Sequence, residues 1–195
     1  MDNQTLAGKR VAILVADGFE QVEMTEPRRA LETAGARTSL VSPADRQVQG
    51  WRHADKANQF PVDVQLDDAR AQDFDALLLP GGVANPDRLR TLPKAVAFVR
   101  AFFDAGKPVA AICHAPWTLI EADVVRGRTV TSWPSLKTDL VNAGARWVDQ
   151  EVATDNGLVT SRKPDDIPAF NRKMIEEFAE GVHERSRART AGVPG

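Results

Sequence analysis

Pro108-Val109-Ala110-Ala111-Ile112-Cys113-His114-Ala115 decides how this chain folds. Val109 to Ile112 form a short, uninterrupted apolar run, which predicts a strand covered on both faces, as in a parallel sheet. Cys113 follows at once, and His114 to Ala122 reads as a helix. A strand that passes directly into a helix through a nucleophilic side chain is the logic of a nucleophile elbow. The turn needs small neighbours, and Ala111 and Ala115 stand at the two flanks where glycine is usual.

The same alternation extends on both sides of this stretch. Towards the N-terminus, Arg10 to Ala16 is another continuous apolar run, ending at Asp17-Gly18. A helical segment from Val22 to Thr33 stops at Ala34-Gly35, a normal C-terminal glycine signal. Thr38 to Ser42 predicts a second strand. Residues 43–68 mix polar turns with short extended pieces such as Pro61-Val62-Asp63-Val64. Phe74 to Leu79 is a strand ending in Pro80-Gly81-Gly82, and a helix runs from Pro93 to Gly106 with Val96, Phe98, Val99, Phe102 and Phe103 as its apolar set. Towards the C-terminus, Arg128 to Ser132 predicts a strand and Ser135 to Ala143 a helix. Trp147 to Thr154 and Leu158 to Ser161 flank the hairpin turn Asp155-Asn156-Gly157, and a last helix covers Asp166 to Arg187.

Strands alternating with helices point to right-handed βαβ units. The expected fold is a doubly wound α/β sheet, mainly parallel, with helices on both faces. It is read as one domain over residues 1–195, with a core from about 9 to 187 and a flexible tail over 188–195.

Composition narrows the function classes. In 195 residues, 25 Lys and Arg balance 27 Asp and Glu, a net charge of −2, and the basic residues are scattered without interleaved aromatics. Neither nucleic acid nor a membrane surface is an expected partner. No apolar run reaches the roughly 20 residues that span a bilayer. The polar start Met1-Asp2-Asn3-Gln4-Thr5 lacks a secretory pattern, so the expected compartment is the cytoplasm. One cysteine excludes an intrachain disulfide. Three scattered histidines without ligand spacing give no reason to expect a metal or other cofactor.

In open α/β sheets, sites form beyond the carboxyl ends of the strands. Three segments lie there: Asp17 to Glu26, Pro80 to Asp87, and Cys113 to Trp117. At a helix N-terminus the Cys113 thiol would be favoured as thiolate, although the same residue also fits a small core hydrophobe at a strand end. The Gly82 and His114 amides could form an oxyanion hole, although double glycines also serve as plain turns. Glu20, Glu23 and Glu26 share helical spacing, and the first turn of a helix tolerates such acids without further purpose. Adjacent helical side chains diverge, so adjacency alone does not bring the His114 ring to the sulfur. His53 and His183 read as surface residues, and Trp117 and Trp133 as packing.

Taken together, the motifs resemble those of the PfpI family of intracellular proteases and general stress proteins. That superfamily also holds the Parkinson-associated protein deglycase and class I glutamine-amidotransferase-like domains. The matching stretches are Val11 to Val15, Phe19-Glu-Gln-Val-Glu23 with Pro27, Phe74 to Gly82, and Gly106 to His114. They continue through Val124-Val-Arg-Gly-Arg128, Asn142-Ala-Gly144, Trp147 to Val152 and Val159-Thr-Ser-Arg162 with Pro164-Asp165. The resemblance implies a flavodoxin-like fold, a nucleophile at Cys113 and a carboxyl partner at Glu23, with oxyanion donors from Gly82 and His114. It further implies a homodimer or higher homo-oligomer in which Asp87 of one subunit orients His114 of another. Two departures stand out: Ala115-Pro116-Trp117 follows Cys-His where glycine is common, which would narrow the pocket, and the acid is Asp87 rather than Glu. The expected activity is on small reactive carbonyls or their protein adducts, as in a glyoxalase or deglycase. A cysteine peptidase and a redox sensor that uses Cys113 oxidation are the alternatives. Glutamine amidotransfer is disfavoured, because Val159-Thr-Ser-Arg162 lacks the His-x-Glu pair.

Overall fold

In the computed structural model, which describes residues 5–183, the apolar runs become parallel strands with alternate residues on opposite faces. The elements in chain order begin β1 (Arg10–Leu14), β2 (Phe19–Glu20), α1 (Gln21–Thr33), β3 (Arg37–Ser42), β4 (Gln47–Arg52), β5 (Asp55–Pro61), β6 (Val64–Gln65) and β7 (Ala76–Leu79). They continue with α2 (Ala84–Arg90), α3 (Pro93–Asp104), β8 (Val109–Ile112), α4 (Pro116–Glu121), β9 (Thr129–Val130) and α5 (Lys137–Asn142). The last are β10 (Arg146–Trp147), β11 (Val152–Asp155), β12 (Leu158–Ser161) and α6 (Ile167–Glu180).

The main sheet has seven strands in the order β11-β12-β8-β7-β1-β3-β6. Every neighbouring pair in it is parallel except β11 with β12. Ala12, Leu14, Leu77, Leu79, Val109 and Ala111 face one core with Phe98, Val99 and Phe102 of α3 and Leu119 of α4. Val11, Ile13, Leu78, Ala110 and Ile112 face the other with Met24 and Leu31 of α1 and Phe170, Met174 and Phe178 of α6. Two buried faces explain why these strands are continuously apolar. This is the flavodoxin-like, mainly parallel α/β fold expected from the sequence.

The chain leaves β1 toward β3 on one side and later returns to β7 on the other, so the strand order reverses between β1 and β7. Crevices at such a reversal are where open α/β sheets bind ligands. The carboxyl ends of β1, β7 and β8 carry Asp17, the Pro80-Gly81-Gly82 turn and Cys113.

Several expectations are corrected. Residues 43–68 hold an antiparallel hairpin, β4 with β5, that pairs with β2 as a separate three-stranded sheet. Trp147 does not belong to the hairpin that turns at Asn156-Gly157. It sits on β10, which pairs with β9. Helix α2 follows the double glycine and starts at Ala84, three residues before Asp87. The last helix ends at Glu180, where Gly181 adopts φ 83°, and the part expected over 184–187 lies outside the described residues. The expected tail over 188–195 lies outside the described residues. Among the described residues, no helix is long and apolar enough to cross a membrane.

Candidate active site

Cys113 occupies the left-handed region with φ 64°, which costs a non-glycine residue about 1–3 kcal/mol unless its surroundings hold it there. Two hydrogen bonds do so: its N–H donates to Ser161 O at 3.0 Å, and its carbonyl accepts from the Trp133 N–H at 2.9 Å. The small flanks Ala111 and Ala115 are both buried, as a tight elbow requires. The helix itself starts three residues later, at Pro116.

Glu23, in the first turn of α1, is completely buried. Pro27 lacks the N–H that would close a helical turn on the Glu23 carbonyl. The Glu23 Oε2 accepts the Gly81 N–H at 3.0 Å. Gly81 is where the two reactive side chains converge: a Cβ there would lie 2.6 Å from Cys113 Cβ, 2.6 Å from Glu23 Oε2 and 2.7 Å from Ile112 O. Gly82 has φ 78°, and a Cβ on it would meet Gly18 O at 2.5 Å. Here glycine is demanded by space as well as by conformation.

The three acids of the first βα connection part ways. Glu20 accepts the His53 N–H at 2.9 Å, and Glu26 pairs with Arg29. Of the three, Glu23 alone turns inward to the thiol.

Burial pushes the Glu23 carboxyl up to about 8, helped by the nearby Glu20 charge and opposed by the thiol and the Gly81 and Gly82 amides. Its other oxygen, Oε1, is buried without an aligned hydrogen-bond partner among the described residues. A carboxyl in this setting holds its proton at neutral pH.

The thiol does not behave as a helix-terminus cysteine. Burial and the Glu23 charge push Cys113 upward, and the Gly82 and His114 amides oppose them. This corrects the expected thiolate: the sulfur is buried, outside the helix, and beside a carboxyl. The two amides that act on it are the ones named as oxyanion donors.

The left-handed turn at Cys113 swings the His114 imidazole back toward the thiol. Its Nδ1 lies 3.1 Å from the Cys113 sulfur. Trp133 stacks on the ring at 5.6 Å between centroids, and Trp117 meets it edge-on at 5.3 Å. Burial in this slot lowers His114 to about 4, so the ring is neutral at pH 7. Trp117 is itself held by Asp139, 2.8 Å from its indole nitrogen, and by the Arg90 guanidinium 4.9 Å above its ring. Both tryptophans therefore line the site as well as pack.

Asp87 makes no ion pair with His114 within the chain. It is exposed on α2 and pairs with Arg90 at 3.1 Å.

Asn85 was missed by the sequence reading. It is completely buried, accepts the Ala16 N–H at 2.7 Å, and donates to the Pro80 and Gly81 carbonyls at 2.9 and 3.0 Å. One side chain thus ties the end of β1 to the glycine turn. Its only sequence signal was an amide residue three positions after a double glycine.

His183 is not a surface residue either. Its side chain is mostly buried and lies 3.2 Å from Glu177. With Glu180 these form, among the described residues, the one cluster of three donor side chains close enough to share a cation. It is remote from Cys113, because Gly157 and Gly106 lie at the opposite end of β8: Val109 donates to Gly157 O and His183 to Gly106 O.

The chain is similar to known proteins over most of its length. The chain is 43% identical over 168 residues to "Putative cysteine protease YraA" of Bacillus subtilis, covering 86% of this chain and 96% of that protein. It superposes on Drosophila melanogaster DJ-1beta with a TM-score of 0.80 at 31% identity, covering 88% of this chain and 90% of the other. A two-domain Anabaena variabilis protein with DJ-1/ThiJ/PfpI-like and ferritin-like domains matches with a TM-score of 0.82 at 33% identity, over 92% of this chain and 51% of that one. The profile of the DJ-1/PfpI family matches residues 9–177, and the chain belongs to that family.

Proposed function

We infer that this protein is a cysteine-dependent enzyme acting on small reactive carbonyls, or on the adducts they form with proteins. The observation that carries the reading is the buried, protonated Glu23 meeting the Cys113 thiol across Gly81. An aldehyde needs a nucleophile at carbon and a proton donor at oxygen, and this pair offers both. The sulfur adds to the aldehyde carbon and its proton passes to His114 Nδ1. The carbonyl electron pair moves onto oxygen, beside the Gly82 and His114 amides, and Glu23 supplies the proton that completes a hemithioacetal. Glu23, now a carboxylate, can take the carbinol C–H proton. Delivery of that proton to the adjacent carbonyl carbon of a dicarbonyl, with the carbinol O–H proton passing to that carbonyl's oxygen, leaves a thioester. Water hydrolyses it to a hydroxy acid and the free thiol, and the proton held by His114 returns to Glu23. No external oxidant is consumed.

A peptidase is the second reading, favoured by the 3.1 Å contact between His114 Nδ1 and the sulfur and by the name carried by the Bacillus subtilis relative. The test is to assay methylglyoxal and an unstructured peptide with wild type, Cys113→Ala and Glu23→Gln. Methylglyoxal turnover lost in both variants supports the carbonyl reading. Peptide cleavage that needs Cys113 but survives Glu23→Gln favours the peptidase. Neither activity overturns both and leaves Cys113 oxidation as the thiol's role.

The proposal extends to assembly as a homo-oligomer in which Asp87 approaches a neighbouring subunit's site. Mixing Cys113→Ala with Asp87→Ala subunits should restore activity if both single variants are inactive and Asp87 acts across an interface. Freely exchanging mixtures that stay inactive exclude that role.

A further inference from the structure

Glu177, Glu180 and His183 follow the spacing Glu-x-x-Glu-x-x-His. The first two stand one turn apart on the last stretch of α6 and so share a face. Gly181 then reverses the chain with φ 83°, and His183 comes back beside them. One ligand atom from each residue falls within 4.8 Å of the other two.

The histidine is fixed before any ligand arrives. Its N–H donates to Gly106 O at 2.8 Å. Its ring packs onto Gly157, where a Cβ would come within 2.7 Å of His183 Cδ2. The Nε2 atom is fully buried and, among the described residues, makes no aligned hydrogen bond, although it lies 3.2 Å from Glu177 Oε2. Nε2 and Glu177 Oε2 thus face each other at close range without an aligned hydrogen bond, a spacing that a shared cation would also satisfy. The charge of Lys173 is felt by Glu177 and Glu180, but its ion pair is with Glu176, and Lys9, near Gly181, forms no ion pair with either carboxylate.

We propose that Glu177, Glu180 and His183 form a binding site for a divalent transition metal of the zinc type, remote from Cys113. One imidazole nitrogen and two carboxylates suit zinc, whereas magnesium and calcium take oxygen ligands. Tetrahedral ligands about 2.0–2.1 Å from zinc lie roughly 3.3 Å apart, close to the observed Glu177 to His183 separation. Glu180 is exposed, and its carboxylate oxygen lies within 4.8 Å of the other two donor atoms, so three protein ligands would leave a fourth position for water. The bound ion would tie the end of α6 to the Gly106 turn and the β11–β12 hairpin, as a structural site does. This revises the expectation, drawn from scattered histidines, that no metal is bound. The second and third donors are glutamates, a pattern that a search for Cys and His spacing passes over.

Equilibrium dialysis of the full chain as Cys113→Ala against zinc chloride tests it, since that background removes the thiol as a competing ligand. About one zinc per chain should be retained, with a raised Tm, and a large excess of magnesium should not displace it. Adding Glu180→Gln or His183→Gln should weaken binding by more than the roughly tenfold lost with a supporting partner and abolish the rise in Tm. Glu180 is exposed, so its variant keeps the test valid if the His183 variant fails to fold. No retained zinc, or retention unchanged by Glu180→Gln, overturns the site.

Discussion

Cys113 Cβ and Glu23 Oε2 both lie 2.6 Å from the point where a side chain on Gly81 would begin. The nucleophile and its acid are neighbours because nothing but a hydrogen atom stands between them. Gly81→Ala should therefore cost about 1–3 kcal/mol, as overpacking of a well-packed interior does, and should force the thiol and carboxyl apart. Urea unfolding reads the first effect and Cys113 alkylation the second. An alanine accommodated without change in either would show that this contact does not hold the pair.

Glu23 should make the protein less stable as pH rises. The unfolded chain loses this proton near the ordinary value of 4.5, whereas the fold retains it to about 8. Between these limits the native state binds the extra proton, so stability falls with increasing pH, by at most about 1.4 kcal/mol per pH unit. Glu23→Gln removes that slope. Urea midpoints between pH 5 and 8 should decline less in the variant, and identical profiles would refute a buried, protonated carboxyl.

The thiol should alkylate with a midpoint above the free-cysteine value of about 8.5, because burial and the Glu23 charge both oppose the thiolate. Glu23→Gln should lower that midpoint by removing one of the two. Iodoacetamide rates from pH 6 to 10 give the comparison. A wild-type midpoint below the free value would restore the activated thiolate.

Trp133 should set the protonation of His114. Burial takes the ring from 6.5 down to about 4. In that interval the unfolded state binds the extra proton, so stability falls as pH drops through it. Trp133→Ala opens the slot to water and should move the imidazole titration, followed by NMR, back toward 6.5, while Trp133→Phe should keep most of the shift. An unmoved titration in the alanine variant would assign the desolvation to Trp117 and the turn instead.

The sequence by itself determined the alternation of strands and helices, the place of Cys113 at a strand end, and the glycine turn after β7. Those features are local, since apolar runs, glycine stops and small flanking residues act within a few positions of themselves. The tertiary structure decided the rest. It separated Glu23 from Glu20 and Glu26, which spacing alone leaves equivalent, by burying one and pairing the others with His53 and Arg29. It brought His114 to the sulfur through a left-handed residue that helical geometry does not anticipate. It made Asn85 the tie between β1 and the glycine turn, although its partners Ala16 and Pro80 lie 69 and 5 residues away. It also reversed the sign of the thiol's shift. Desolvation depends on how much of the chain closes over a group, and no stretch of sequence carries that quantity on its own.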